Sequence, residues 1–164
     1  MKTLLIYLTL LIPLAAIAQR EGVSTYTYHA KSALKITESN GRVNHIEIVP
    51  GENLILVCEF KAFDNPNIAD DEYKEKVYIE VKKDGRKFST TTDQSVAYFM
   101  KGCYCTDRGY HKALPDGTIS GKKNIIGDYR VKYTLRFKTN QETESIYNLE
   151  KTTTASFRKY KPAK

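Results

Sequence analysis

The chain has 164 residues, a formal net charge of +7 and three cysteines, with 12 tyrosines and no tryptophan. That length suits one domain with its own core, and such a chain folds without a metal or a dense disulfide framework. Its basic charge admits nucleic acid, anionic glycan or a membrane surface as partner, but the charges are spread rather than clustered, which ordinarily means a solvated basic skin.

The first eighteen residues read as a secretory signal. Lys2 supplies a positive start, residues 4–14 are almost wholly apolar, and Ala16-Ile17-Ala18 precedes Gln19. The apolar run is too short to span a bilayer comfortably, and no later segment is apolar enough. The expected product is a secreted or periplasmic protein starting at Gln19, about 146 residues long and close to +6, with no transmembrane segment. The first cysteine is Cys58, so a lipid anchor at the cleavage junction is not expected. An exported protein rarely meets nucleic acid, so none is expected as a partner.

The mature sequence reads as strands. Tyr26, Tyr28 and Ala30 alternate with Thr25, Thr27 and His29, and Leu34 and Ile36 keep the same parity. Residues 43–49 are rich in β-branched side chains and run into Pro50-Gly51, a turn signal. In residues 54–60, Leu54, Leu56, Cys58 and Phe60 share one face. Residues 64–76 break the pattern, with a turn at Asn65-Pro66-Asn67 and room for one helical turn over 69–74. Val77, Ile79 and Val81 resume the alternation. Asp84-Gly85 then predicts a hairpin joining residues 77–83 to 86–91. Residues 95–100 form a short strand candidate.

The cleanest run is Tyr129, Val131, Tyr133, Leu135 and Phe137, alternating with Arg130, Lys132, Thr134, Arg136 and Lys138. Strict period two marks a strand with one buried face and one wet face. Residues 152–160 close the fold as a Thr-rich, basic edge strand. Seven to nine short strands without repeat or linker predict one antiparallel β-sandwich over residues 19–164.

Two segments resemble the immunoglobulin-like superfamily. Gly51-Glu-Asn-Leu-Ile-Leu-Val-Cys58 is similar to its second strand, and Ile126-Gly-Asp-Tyr-Arg-Val131 to its sixth. The chain departs from antibody domains in having no Trp and in placing Val131 where the sixth strand would carry its Cys. The resemblance is to the bacterial, Trp-less variety. It implies an immunoglobulin-like sandwich serving binding, adhesion or scaffolding rather than catalysis, and it names no ligand.

Several residues are candidates for chemistry. An exported context favours disulfides. Cys58 pairs with Cys103 or Cys105, or Cys103 and Cys105 pair with each other, or Cys58 stays a buried thiol. Cys103, Cys105 and His111, with Asp107 or Asp116, offer an alternative zinc-type donor set for a small envelope metal-binding protein or enzyme, although the spacing matches no familiar motif. No cofactor is expected, and no nucleophile elbow, His-Glu-x-x-His or phosphate loop is present.

Residues 101–128 hold five of the nine glycines and read as a long connection. The ordinary interpretation is a hairpin turning at Pro115-Asp116-Gly117, with Thr118 starting the return strand. The functional one makes Tyr104, Arg108, Tyr110 and His111 the contacts of a binding loop for a protein or glycan partner. Arg130, Lys132, Arg136 and Lys138 form a basic stripe that suits an anionic glycan or lipopolysaccharide, or is simply a wet face, with Glu75 and Glu80 as candidates to balance it from a neighbouring strand.

Overall fold

The computed structural model describes residues 21–64, 72–82, 86–105, 108–138 and 148–162. They form nine strands and no helix. These are β1 (Gly22–Ser39), β2 (Arg42–Ala62), β3 (Lys74–Val81), β4 (Lys87–Thr91), β5 (Val96–Gly102), β6 (Gly109–Lys112), β7 (Thr118–Lys123), β8 (Tyr129–Lys138) and β9 (Asn148–Lys159). They join in one sheet of order β4-β7-β8-β9-β1-β2-β3-β5-β6. The sheet curls into a half-barrel, and an isolated bridge from Ala113 to Phe137 draws the end of β6 towards β8.

The all-β expectation therefore holds. The expectation of purely antiparallel pairing does not: β9 runs parallel to β1, through Thr27↔Arg158 and Tyr28↔Lys159. The Tyr160 N–H extends this junction by donating to the Tyr28 carbonyl at 2.9 Å. Each of these two strands pairs antiparallel along its other edge, β1 with β2 and β9 with β8.

The inner face of the curl holds the main core. Leu54 and Leu56 meet Val77, Ile79 and Val81, and across the curl lie Tyr129, Val131, Tyr133, Leu135 and Phe137. The period-two reading of β3 and β8 is thus correct to the residue, and so is the inward parity of Leu54 and Leu56. Cys58 is partly buried against this core. Phe60 is half-buried and packs edge-on to Tyr73 instead. Phe88, Phe99, Ile119 and Phe157 complete the interior.

A second core lies on the opposite face and was not anticipated. Ile55, Val57, Tyr78, Tyr98 and Met100, which alternate with inward residues, are buried too. The far half of the β1–β2 hairpin covers them, contributing Ile46 with Leu34, Ile36, Val43 and Ile48. The hairpin turns at Asn40-Gly41, both at positive φ (53° and 72°), the signature of a tight primed turn. It is interrupted where Lys31 adopts φ 54° and Ser32 pairs with both Pro50 and Asn53, a β-bulge that bends the ribbon. A Cβ on Gly51 would meet the Ser32 backbone at 2.9 Å, so glycine is required at this crossing. Glu80 accepts from Leu34 N–H at 3.2 Å and from Asn53 Nδ2 at 2.6 Å across the bend. Pro50-Gly51 is therefore a bulge inside one long strand, not a turn between two.

Two other local expectations are corrected. β3 and β4 do not form a hairpin: β3 lies between β2 and β5, and β4 pairs with β7. The chain passes from one half of the sheet to the other between β3 and β4, and Phe88 fills the space over Gly121 on β7. Of the expected helical turn over 69–74, residues 69–71 lie outside the described residues, 72–73 are irregular and Lys74 already belongs to β3.

Candidate binding site

Residues 101–128 are more ordered than a long loop. β6 returns along β5, from Lys101↔Gly109 to Tyr98↔Lys112, and β7 pairs with β8 through a turn at 124–128. Thr118 does start a strand, as expected, but that strand pairs with β4 and β8 rather than folding back on β6. What is left of the loop is the short β5–β6 connection. It contains Cys103 and Cys105, which are bonded to each other with a Cα–Cα distance of 5.3 Å. The Arg108 N–H donates to the Cys105 carbonyl at 3.3 Å. Together these contacts draw Arg108 back towards the cysteine ring.

This pairing leaves Cys58 as a free thiol and corrects the alternative bridge from Cys58 to either partner. Cys58 lies close to Tyr26 and Tyr133, and burial pushes its thiol pKa up. A buried, protonated thiol is a poor nucleophile. The zinc-type alternative loses both of its sulfur donors to the disulfide. Among the described residues no group of three or more His, Cys, Asp or Glu side chains converges as metal ligands. Asp107 lies outside them, and Asp116 pairs with Arg136.

The four proposed contact residues do not share one face. Tyr104 sits at the tip and is 72% exposed, and Arg108 is exposed beside it. Tyr110 and His111 are neighbours on β6 and point to opposite sides, as strand geometry requires. Tyr110 packs on the second core under the hairpin flap. His111 lies against the Phe99 ring at 6.1 Å on the inner face. The tip therefore groups Tyr104 with Arg108, while Tyr110 and His111 anchor the two sides of its stem.

The inner face carries a polar cluster that the sequence reading did not assemble. Lys151 Nζ pairs with Glu75 Oε2 at 2.6 Å and lies 5.2 Å from the centre of the Phe99 ring. The Tyr73 hydroxyl donates to Glu75 Oε1 at 2.5 Å. Lys101 Nζ sits 5.9 Å over Tyr73. Glu75 is thus committed to the interior, and Glu80 to the hairpin bend, so neither balances the basic stripe on β8. The only sequence signal for this cluster was Glu75 itself, at an inward-facing parity beside Val77.

The stripe is on the outer surface, as predicted. Arg130, Lys132, Arg136 and Lys138 are all exposed between the buried residues of β8. Arg136 pairs with Asp116. Among the described residues no helix is long and apolar enough to cross a membrane.

No family model, no curated protein and no solved structure matches this chain.

Proposed function

We propose that the chain is an exported, non-enzymatic binding or scaffold module of the cell envelope, whose β5–β6 tip contacts a protein or glycan partner. One observation carries the reading. Tyr104, a large aromatic side chain, stands 72% exposed within the ring closed by the Cys103–Cys105 bond, with exposed Arg108 on the same β5–β6 connection. Tyr and Arg are the side chains that most often anchor interfaces. A short covalent ring lowers the entropy lost when such a tip is immobilised. Tyr110 and His111 support the stem and orient the tip. Export rests on the signal-like residues 1–18, which lie outside the described residues. Kinship with the immunoglobulin-like superfamily is part of the proposal and rests on Gly51–Cys58 and Ile126–Val131 alone.

The test is a pull-down from envelope extract with the mature protein and a Tyr104→Ala/Arg108→Ala variant of equal Tm. Loss of a specific partner by the variant supports the reading. Retention of every partner overturns it.

A further inference from the structure

The outer face of β4, β7, β8 and β9 carries side chains in rows fixed by strand register. Lys87 lies opposite Lys122, Lys122 opposite Arg130, and Arg130 opposite Ser156. The next row is Ser89, Ser120, Lys132 and Thr154. The third is Thr91, Thr118, Thr134 and Thr152, in which Thr152 Oγ1 donates to Thr134 Oγ1 at 3.2 Å. These three rows contain cations and hydroxyls, and no apolar or aromatic side chain.

The cation row opposes its own fold. Like charges directly opposite in a sheet destabilise it. Here three cations stand on adjacent strands, about 4.8 Å apart. All three are exposed. Among the described residues none of them has a carboxylate partner. The nearest acids in register bound the rows rather than neutralise them. Asp128 lies in the β7–β8 turn, where its N–H donates to Asn124 Oδ1, and Glu150 lies opposite Arg136 beyond the threonines. The wet side of a sheet needs polar residues, but it does not need three cations in one line with no carboxylate partner among the described residues.

We infer that this face is a second binding surface, separate from the β5–β6 tip, and that its ligand is a linear anionic polysaccharide lying across the strands. The cation row would meet successive carboxylate or sulfate groups, because its spacing is on the scale of one sugar ring. The serine and threonine rows beside it offer donors and acceptors for ring hydroxyls. A single-stranded nucleic acid is disfavoured because no aromatic platform exists here for base stacking. An apolar membrane insertion is disfavoured because no apolar side chain interrupts the rows.

The test is binding of the mature protein to polygalacturonate and dextran sulfate, with neutral dextran and duplex DNA as comparison ligands. The face variant is Lys87→Ser/Lys122→Ser/Arg130→Ser. A charge-matched control is Lys35→Ser/Lys82→Ser/Lys112→Ser, placed on the other half of the sheet. Saturable, salt-sensitive binding to both anionic glycans and not to dextran is expected. The face variant should bind about tenfold or more weakly, with a Tm equal to or above wild type, since it relieves the repulsion. The Tyr104→Ala/Arg108→Ala variant should bind within about threefold of wild type, which separates this face from the tip. Absence of glycan binding, equal weakening by the charge-matched control, or tighter binding of duplex DNA than of polygalacturonate would each overturn the inference.

Discussion

Substituting Gly121 by Ala probes the arrangement of β4, β7 and β8 at one atom. Gly121 is buried on β7, opposite Phe88 on β4 and Val131 on β8. A Cβ at this position would enter the space of the Phe88 ring, meeting its Cζ, Cε1 and Cε2 atoms. Phe88 is 8% exposed and belongs to the main core, so its ring has to move outward or the strands must separate. Overpacking of this kind costs about 1–3 kcal/mol. The gain from replacing glycine in a strand is roughly 0.5–1 kcal/mol, so a net loss near 1–2 kcal/mol is expected. Phe88→Leu alone should cost on the order of 1–2 kcal/mol, below the full Phe→Ala range. The double variant should be less destabilised than the two single losses added, because leucine leaves room for the new methyl group. Urea denaturation of the four proteins closes the cycle, with a coupling of at least about 0.5 kcal/mol expected. Strict additivity would refute the β4–β7 pairing and return β4 to the hairpin that Asp84-Gly85 suggests.

Other outcomes follow from the same packing. Val131→Ala, at a fully buried site, should cost about 1–3 kcal/mol, while Lys132→Ala on the opposite face should cost less than about 0.5 kcal/mol; chemical melts rank the two. Without reductant, thiol titration of the unfolded protein should find one reactive cysteine, and iodoacetamide should label Cys58 in the folded protein far more slowly than a free thiol, since burial raises its pKa. Burial also raises the hydroxyl pKa of Tyr28, Tyr129 and Tyr133, and takes Tyr78 to about 12. The unfolded chain releases these protons near pH 10, the folded chain only above it. Stability from these groups is therefore intact below about pH 10 and is lost as pH rises towards the folded values, which alkaline melts with ultraviolet tyrosine titration will show.

Strict alternation made the inner face legible, because β8 has one buried side with a repeat of two and β3 places Val77, Ile79 and Val81 inward with the same repeat. Alternation could not reveal the second core. Ile55, Val57 and Tyr78 occupy the parity that ordinarily faces water, and they are buried only because the β1–β2 ribbon bends back over them. That bend depends on Ser32 pairing twice and on Gly51, and a Pro-Gly pair inside a β-branched run looks locally like a turn. Turn chemistry alone does not choose strand partners. Asn40-Gly41 closes the longest hairpin, whereas the strands on either side of Asp84-Gly85, which lie outside the described residues, pair elsewhere: β3 with β2 and β5, and β4 with β7.

The candidate site was legible in composition rather than geometry. Tyr104 and Arg108 are interface residue types, and both are exposed on the β5–β6 connection. Tyr110 and His111 are candidates of the same kind, but adjacent strand residues must diverge, so they are supports. Glu75 and Lys151 are 76 positions apart, and only the closing of the curl brings β9 over β5. The cation row is equally non-local: Lys87, Lys122 and Arg130 come from three strands, and nothing in any one of them announces the line.

The proposed binding role of the β5–β6 tip is tested most directly by hydroxyl-radical footprinting of residues 19–164, with and without the partner that the pull-down from envelope extract recovers. Tyr104, at 72% exposure, and Tyr160, at 48% on the end of β9, provide an internal comparison. The tip assignment predicts that the partner suppresses oxidation of Tyr104 several-fold and leaves Tyr160 unchanged. Unaltered oxidation of Tyr104 in a saturated complex would contradict it.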